Sequence, residues 1–504
     1  MRERHYGREI LVYPDRPRRL EAILRETAGA FSDKWAVAEL GGRRYTYAEL
    51  AERVEAGAAW LHRRGLRPGE RVALLLGNNA LFAVWTFAIL RAGGIVLPVN
   101  LRLHPAEVGA ILSDAAPSMV VGGEEASHLR SGLEGYRLVS AEEILAQNKA
   151  SSLEELGSED DPAFLIYTSG TTGKPKGVVL THFNVIHSLF HYREVFGTSP
   201  GDRTLVAVPL FHVTGLIGQL LHMVLVGGSS VLLLRYQTDD FALALEQWEV
   251  TFTFAVPTIY AFLLAHGLAQ RRLPSWRLAA YGGAPMPLAV LQALTAAFPS
   301  LDVRNAYGAT ETASPATLMP RGATALRPLS VGRPVPKGEI RIDDPDATGV
   351  GEVLIRGPMV TPGYFQRPEE NARAFTEDGY WRSGDLGYLD EEGFLFVVDR
   401  LKEVINRGGE KIYSQEVENI LYQHPGVLEA AVVGVPDPLY GERVKAVVVP
   451  RPGVSLVEDE LRRFLSERLA AFKVPEIYEF RDSLPRNPGG KVLKSLLRQE
   501  RQSG

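Results

Sequence analysis

RVALLLGNNALFAVWTFAILRAGGIVLPVN, from Arg71 to Asn100, holds the order strand, helix, strand. RVALLLG is a short apolar run into glycine, FAVWTFAILRAGG is helical, and GIVLPV returns as a second strand. MVVGG, FLIYTSG and TLVAVP are further strand candidates, each running into glycine or proline. This βα alternation predicts an α/β fold, with a large N-terminal domain of layered, largely parallel sheets. From about Gly351, shorter strands between Gly-Pro, Asp-Gly and Glu-Gly turns predict a small β-rich subdomain, about 330–400. Beyond Arg400, EVENILYQHPGV reads as a helix, EAAVVGVP and VKAVVVP as strands, and EDELRRFLSERLAAF as an amphipathic helix. The predicted division is therefore 1–400, then a small α+β C-terminal domain, 401–504, joined without a Pro/Gly/Ser-rich linker.

The chain has 504 residues, 45% of them hydrophobic, which favours two or more domains with sizeable interiors. Lys plus Arg total 55 against 60 Asp plus Glu, so no basic excess marks a nucleic-acid partner. Cysteine is absent, which excludes disulfides, thiolate metal sites and a cysteine nucleophile. Thr204 to Leu234 carries no formal charge, yet Pro209, Gly215, Gly218, Gln219, Gly227 and Gly228 interrupt it. A spanning helix needs about 20 continuous apolar residues, so buried strand, turn, helix and strand is the expectation, with no integral membrane segment. The N-terminus lacks the apolar core of a secretory signal, and a cytoplasmic location is expected.

TSGTTGKPKG, Thr168 to Gly177, follows the apolar run FLIY and combines three glycines, four hydroxyls and two lysines. Glycines let several backbone N–H groups converge on one anion, and Lys174 and Lys176 add positive charge. A plain surface loop is the alternative from composition alone. Lys174 precedes Pro175, which lacks an N–H and disfavours helix there, so this is no Walker loop.

Taken in order, the motifs resemble the adenylate-forming superfamily of acyl- and aryl-CoA synthetases, nonribosomal adenylation domains and firefly-type luciferases. They are YTYAEL (Tyr45–Leu50), LRAGGIVLPVN (Leu90–Asn100), YTSGTTGKPKGV (Tyr167–Val178), PLFHVTG (Pro209–Gly215) and YGGAPM (Tyr281–Met286). NAYGATET (Asn305–Thr312), GEVLIRGPMVTPGY and YWRSGDLG (Tyr380–Gly387) continue the series. FLFVVDRLKEVINRGGEKIYSQEVE, AAVVGVPDPLYGE and LPRNPGGKVLK complete it, so the likeness spans nearly the whole chain. The branch it is most similar to is the AMP-forming acyl-CoA/aryl-CoA synthetases.

The resemblance implies an ATP-dependent ligase that activates a carboxylic acid as acyl-AMP and transfers it to CoA, with Mg²⁺. It implies that Thr168, Ser169, Gly170, Thr171, Thr172, Gly173 and Lys174 cradle the β- and γ-phosphates. Glu311 would hold Mg²⁺, a hard cation suited to a carboxylate, and Thr310 would contact the α-phosphate. Tyr307 would stack on adenine beside Gly283–Ala284–Pro285, with Asn305, Ala306, Gly308 and Val397 completing the nucleotide wall. Asp385 would accept both ribose hydroxyls, and Arg400 would reach ribose and phosphates. Outside this motif series, Glu311 and Asp385 would read as turn and cap residues. Lys491 matches the family's catalytic lysine, a point charge for the α-phosphate and the attacking carboxylate.

The same resemblance makes the C-terminal domain mobile, rotating at Lys402 between two half-reactions. In the second, Gly408 and Gly409 would help form the pantetheine tunnel, although a plain β-turn fits the local sequence equally. Tyr440 and Phe472 match positions that stack on the CoA nucleotide in some relatives, and Lys473 would pair with its phosphates. His212 stands where amino-acid-activating relatives carry aspartate; it either gates the tunnel or belongs to the core. The acyl pocket is expected from His212, Val213, Thr214, Gly218, Tyr281, Gly282, Gly283 and Gly308. Apart from His212 these are small or apolar and none is cationic, which suits a hydrophobic fatty or aryl monocarboxylic acid. A ligase loading a separate carrier protein, a luciferase-like oxygenase and a non-catalytic nucleotide-binding regulator remain the alternatives. The expected partners are the acid, ATP and CoA, with a homodimer left open.

Overall fold

The computed structural model describes residues 1–147, 156–169, 175–486 and 492–498. Strands Arg71–Leu75 and Ile95–Pro98 run parallel, Arg71 opposite Ile95, on either side of helix Ala80–Arg91. Asn79 caps that helix by accepting the Phe82 N–H. Every residue of the helix is buried, and a helix apolar all round needs cover on every side.

Two sheets, of seven and nine strands, supply the cover. Within Arg71–Leu75, Val72 and Leu74 join the core shared with this helix and with Val37, Val206 and Leu232 of the nine-stranded sheet. Ala73 and Leu75 face the other way, toward Val108, Ile111 and Leu112 of helix Pro105–Ala115. On the far side of the nine-stranded sheet, Leu205, Val231 and Ala279 pack against helices Thr238–Gln247, Pro257–Ala265 and Leu288–Ala297. Helices and sheets thus alternate in five layers.

The centres of both sheets are parallel, as the alternation predicts, but one rim of the seven-stranded sheet and both rims of the nine-stranded sheet are antiparallel. Pro162–Ser169 and Pro175–Thr181 pair antiparallel, Ser169 opposite Pro175, so TSGTTGKPKG joins two strands of one hairpin. A tight return suffices for that pairing, whereas a parallel crossover needs a dozen residues or more.

The β-rich unit is a four-stranded antiparallel sheet that starts at Glu339–Asp343, ahead of Gly351. Its last strand, Leu395–Arg400, leads through exposed Leu401 and Lys402 into a five-stranded C-terminal sheet beginning at Ile405–Arg407. EDELRRFLSERLAAF is α-helical only over Glu458–Ser466, with a short 3-10 turn at Ala471–Lys473. At the end of the helix the Ser466 hydroxyl donates back to the Arg462 carbonyl at 2.7 Å, and the chain turns to place Leu469 and Phe472 on the C-terminal core. The charge-free stretch forms strand Arg203–Val206, buried helical turns over 213–226 and strand Ser229–Leu232. Among the described residues no helix is long and apolar enough to cross a membrane.

Candidate active site

Strands Leu278–Tyr281 and Asp302–Tyr307 are parallel neighbours, Tyr281 opposite Asn305, and their C-terminal ends open into a cleft of about 450 Å³. Such crevices at strand ends are where open α/β sheets bind ligands. Glycine is required at its floor. A Cβ on Gly282 would stand 2.3 Å from the Ala306 carbonyl oxygen, and one on Gly308 only 1.6 Å from that of Ser314. Gly283 has φ +77°, a left-handed conformation that glycine adopts without a side-chain clash. The expected nucleotide residues Gly283, Ala284, Pro285, Asn305, Ala306, Tyr307, Gly308, Asp385, Val397 and Arg400 all border this one cleft.

Asp385 is buried, directly across the antiparallel strands from Arg400. The Tyr307 hydroxyl donates to its Oδ2 at 2.6 Å, and Arg400 Nε lies 3.1 Å from Oδ1. Burial and the Asp385 charge push the Tyr307 phenol far up, so it stays a neutral donor. Two strands and a tyrosine from a second sheet therefore fix one carboxylate.

Glu311 occupies the short turn Thr310–Thr312, with Thr310 buried beside it. The Tyr364 hydroxyl donates to its Oε1 at 2.9 Å, and burial pushes its carboxyl up. Among the described residues no Lys or Arg forms an ion pair with it. A desolvated carboxylate held by one neutral donor fits a hard divalent cation. Glu3, His5 and Glu159 also cluster, but Arg16 already pairs with Glu3 at 2.5 Å and Glu159 at 2.9 Å, which makes that group a structural salt-bridge knot.

Thr168 lies on the hairpin strand opposite Lys176. Gly170–Lys174 and Lys491 lie outside the described residues. The flanks of 487–491 do border the cleft: Arg486 pairs in an isolated bridge with Val492, and both line it together with Lys494. Sequence reasoning assigned no role to Lys494, nor to Tyr364. Each acts through a contact across the fold, 80 residues to Ser414 and 53 to Glu311, for which local spacing carries no signal.

Other expected residues are not brought to the cleft. Gly408 and Gly409 form the exposed left-handed turn of a hairpin, with Gly408 N–H donating to the Tyr440 carbonyl. The Arg407 guanidinium covers one face of Tyr440 at 4.2 Å, Phe472 packs on the C-terminal core, and Lys473 is paired with Glu416 at 2.7 Å. Lys473 thus has the Glu416 carboxylate as its partner in this orientation. Lys402 is exposed, and its carbonyl accepts from Arg498.

The expected acyl-pocket set divides. Tyr281, Gly282, Gly283 and Gly308 border the cleft, although the Tyr281 ring is core and its phenol is pushed up to about 12 by burial. Val213 is buried between the sheets, and Gly218 faces Phe254 so closely that a Cβ would stand 2.9 Å from its ring. His212 caps the turn Val213–Gly215, accepting the Thr214 N–H at 3.3 Å, and burial lowers its pKa so the ring is neutral at neutral pH.

The profile of the AMP-binding enzyme family matches residues 24–365, and that of the AMP-binding enzyme C-terminal domain matches 416–491. A feruloyl-CoA synthase of Amycolatopsis sp is 39% identical over 466 residues, 91% of this chain and 94% of that one. ATP-bound MatB from Rhodopseudomonas palustris superposes with a TM-score of 0.87 at 31% identity, covering 95% of this chain and 98% of that one. o-Succinylbenzoate CoA synthetase from Bacillus subtilis, in complex with its acyl-adenylate, gives 0.85 at 32% identity over the same shares.

Proposed function

We propose, since the chain belongs to the AMP-binding enzyme family, that its acid is a monocarboxylate with an uncharged hydrophobic fatty or aryl tail. The enzyme is an acid–CoA ligase that forms a carbon–sulfur bond, using ATP, CoA and a small-molecule acid, with Mg²⁺ the usual ion. The reading of the acid rests on one observation: no cation stands among His212, Val213, Thr214, Gly218, Tyr281, Gly282, Gly283 and Gly308. A dicarboxylate or sulfonate would need a charged partner on burial. The feruloyl-CoA synthases, at 39% identity, favour the aryl side of that class.

In this reading Asp385 holds the ribose, already oriented by Tyr307 and Arg400. Tyr307 and Gly283–Ala284–Pro285 flank the base, and Thr168–Lys174 with Thr310 bind the phosphates. Glu311 would hold Mg²⁺, which when bound neutralises charge on the phosphate oxygens. Lys491 stabilises the charge that develops as the acid's oxygen displaces pyrophosphate. Rotation at Lys402 then brings Gly408 and Gly409 to the thioester-forming site, with Tyr440, Phe472 and Lys473 toward CoA, in a cytoplasmic enzyme. That swing accounts for the position of those five residues away from the cleft, since one orientation serves one half-reaction.

Pyrophosphate release measured with fatty acids of graded length, benzoates, cinnamates, malonate and oxalate tests the substrate class. Turnover with hydrophobic monocarboxylates and none with the diacids is expected; a preference for a diacid overturns the reading. CoA against a pantetheinylated carrier protein, with oxygen consumption followed, separates the remaining acceptors.

A further inference from the structure

Tyr364 belongs to the two-residue strand Gly363–Tyr364, which pairs with Pro175–Thr181, Tyr364 opposite Val178. Asn371 clamps its backbone, accepting the Tyr364 N–H at 2.7 Å and donating to its carbonyl at 3.1 Å. Thr361, three residues earlier, donates its hydroxyl to the Val179 carbonyl and its N–H to the Glu311 carbonyl at 2.8 Å. One segment is thereby fastened both to the strand leaving the phosphate loop and to the turn bearing Glu311.

The side chain makes the same connection. Lys176 Nζ lies 5.5 Å from the centre of the Tyr364 ring, and the Tyr364 hydroxyl donates to Glu311 Oε1 at 2.9 Å. A lysine or arginine on Glu311 would neutralise the carboxylate and compete with a cation. A phenol does neither: it fixes the side-chain rotamer, leaves the negative charge in place and engages one oxygen only.

We propose that Tyr364 is a positioning residue, holding Glu311 in the orientation that receives the divalent cation accompanying ATP and tying that orientation to the hairpin that carries the phosphate loop. The inference rests on Glu311 as the cation's carboxylate in the function proposed above. Hydrogen-bond partners that orient a metal's ligands typically change metal affinity by about 10–100-fold when removed.

The test uses the full chain and α,β-methylene-ATP, which cannot be cleaved, with binding measured by calorimetry in Mg²⁺ and in EDTA. The ratio of the two affinities reports the cation's contribution without turnover. Y364F is expected to cut that ratio by about tenfold, with the EDTA affinity unchanged. E311Q should abolish the ratio, and adding Y364F to E311Q should change nothing more. If E311Q loses the Mg²⁺ gain and Y364F keeps it, the role of Tyr364 is overturned and Glu311 stands. If both keep it, the assignment of Glu311 itself falls. A parallel loss of affinity in EDTA overturns the positioning role.

Discussion

Lys494 Nζ lies 2.7 Å from Glu418 Oε1 and 2.6 Å from Ser414 Oγ, tying the chain just past 487–491 to helix Ser414–Leu421. Asp399, on the strand before the 401–404 turn, accepts both the N–H and the hydroxyl of the same Ser414. The chain just past 487–491 is thus anchored, through Ser414, to the sheet that carries Asp385 and Arg400.

Burial pushes the Glu418 carboxyl up, with Lys494 pulling it back. K494A leaves that carboxylate without its ammonium and should cost about 3 kcal/mol, the scale of breaking one side of a buried pair. The double variant K494M/E418L should lose less than K494A alone. Urea melts decide both; a K494A protein as stable as the parent would refute the pairing.

K491A should lower adenylation by on the order of 10²-fold or more while retaining thiolation of preformed acyl-adenylate. K402P, which restricts the exposed turn, should do the reverse and slow thiolation more than adenylation. ATP–pyrophosphate exchange and thioester release, measured separately, read the two halves. Equal losses in both halves for either variant would contradict the division of labour.

G308A should be inactive and poorly folded, because its Cβ would overlap the Ser314 carbonyl at 1.6 Å and the backbone cannot yield without opening the cleft floor. G201A, whose Cβ meets nothing nearer than 3.6 Å, is the control and should keep the parent's activity and thermal midpoint.

Acid should unfold the protein through its buried imidazoles. Burial lowers His187 to about 3 and His222 to about 4, and His182 and His191 well below the ordinary value of 6.5. Below 6.5 the unfolded chain takes up protons that the folded chain refuses, so stability present above 6.5 falls as pH drops. Each such histidine contributes about 1.4 kcal/mol per pH unit until its folded value is reached. Denaturant midpoints from pH 7.5 to 5 should therefore fall steeply, and H187Q should flatten the slope by about one histidine's share.

Much of the fold was legible locally. RVALLLG, FAVWTFAILRAGG and GIVLPV read as strand, helix and strand, and the structure holds Arg71–Leu75, Ala80–Arg91 and Ile95–Pro98 there. The residues that border the cleft followed from their order in the motif series. What stayed hidden depends on pairing between distant segments: the antiparallel rim that adds Gly363–Tyr364 beside Val178–Val179, and the Lys494–Glu418 contact. Helix length also escaped, since ERLAAF keeps an apolar rhythm while it turns to pack Leu469 and Phe472.

The hairpin around TSGTTGKPKG has one further implication. Ser169 faces Pro175, and every pair from there to Leu180 keeps the same offset. A strand shifted by one residue presents the opposite set of side chains, so such a slip would turn Lys176 away from Tyr364 and put Gly177 there instead. The pairing therefore serves as a gauge: variants that lengthen or shorten the tip leave the Tyr364–Lys176 contact alone only while the flanking register is kept.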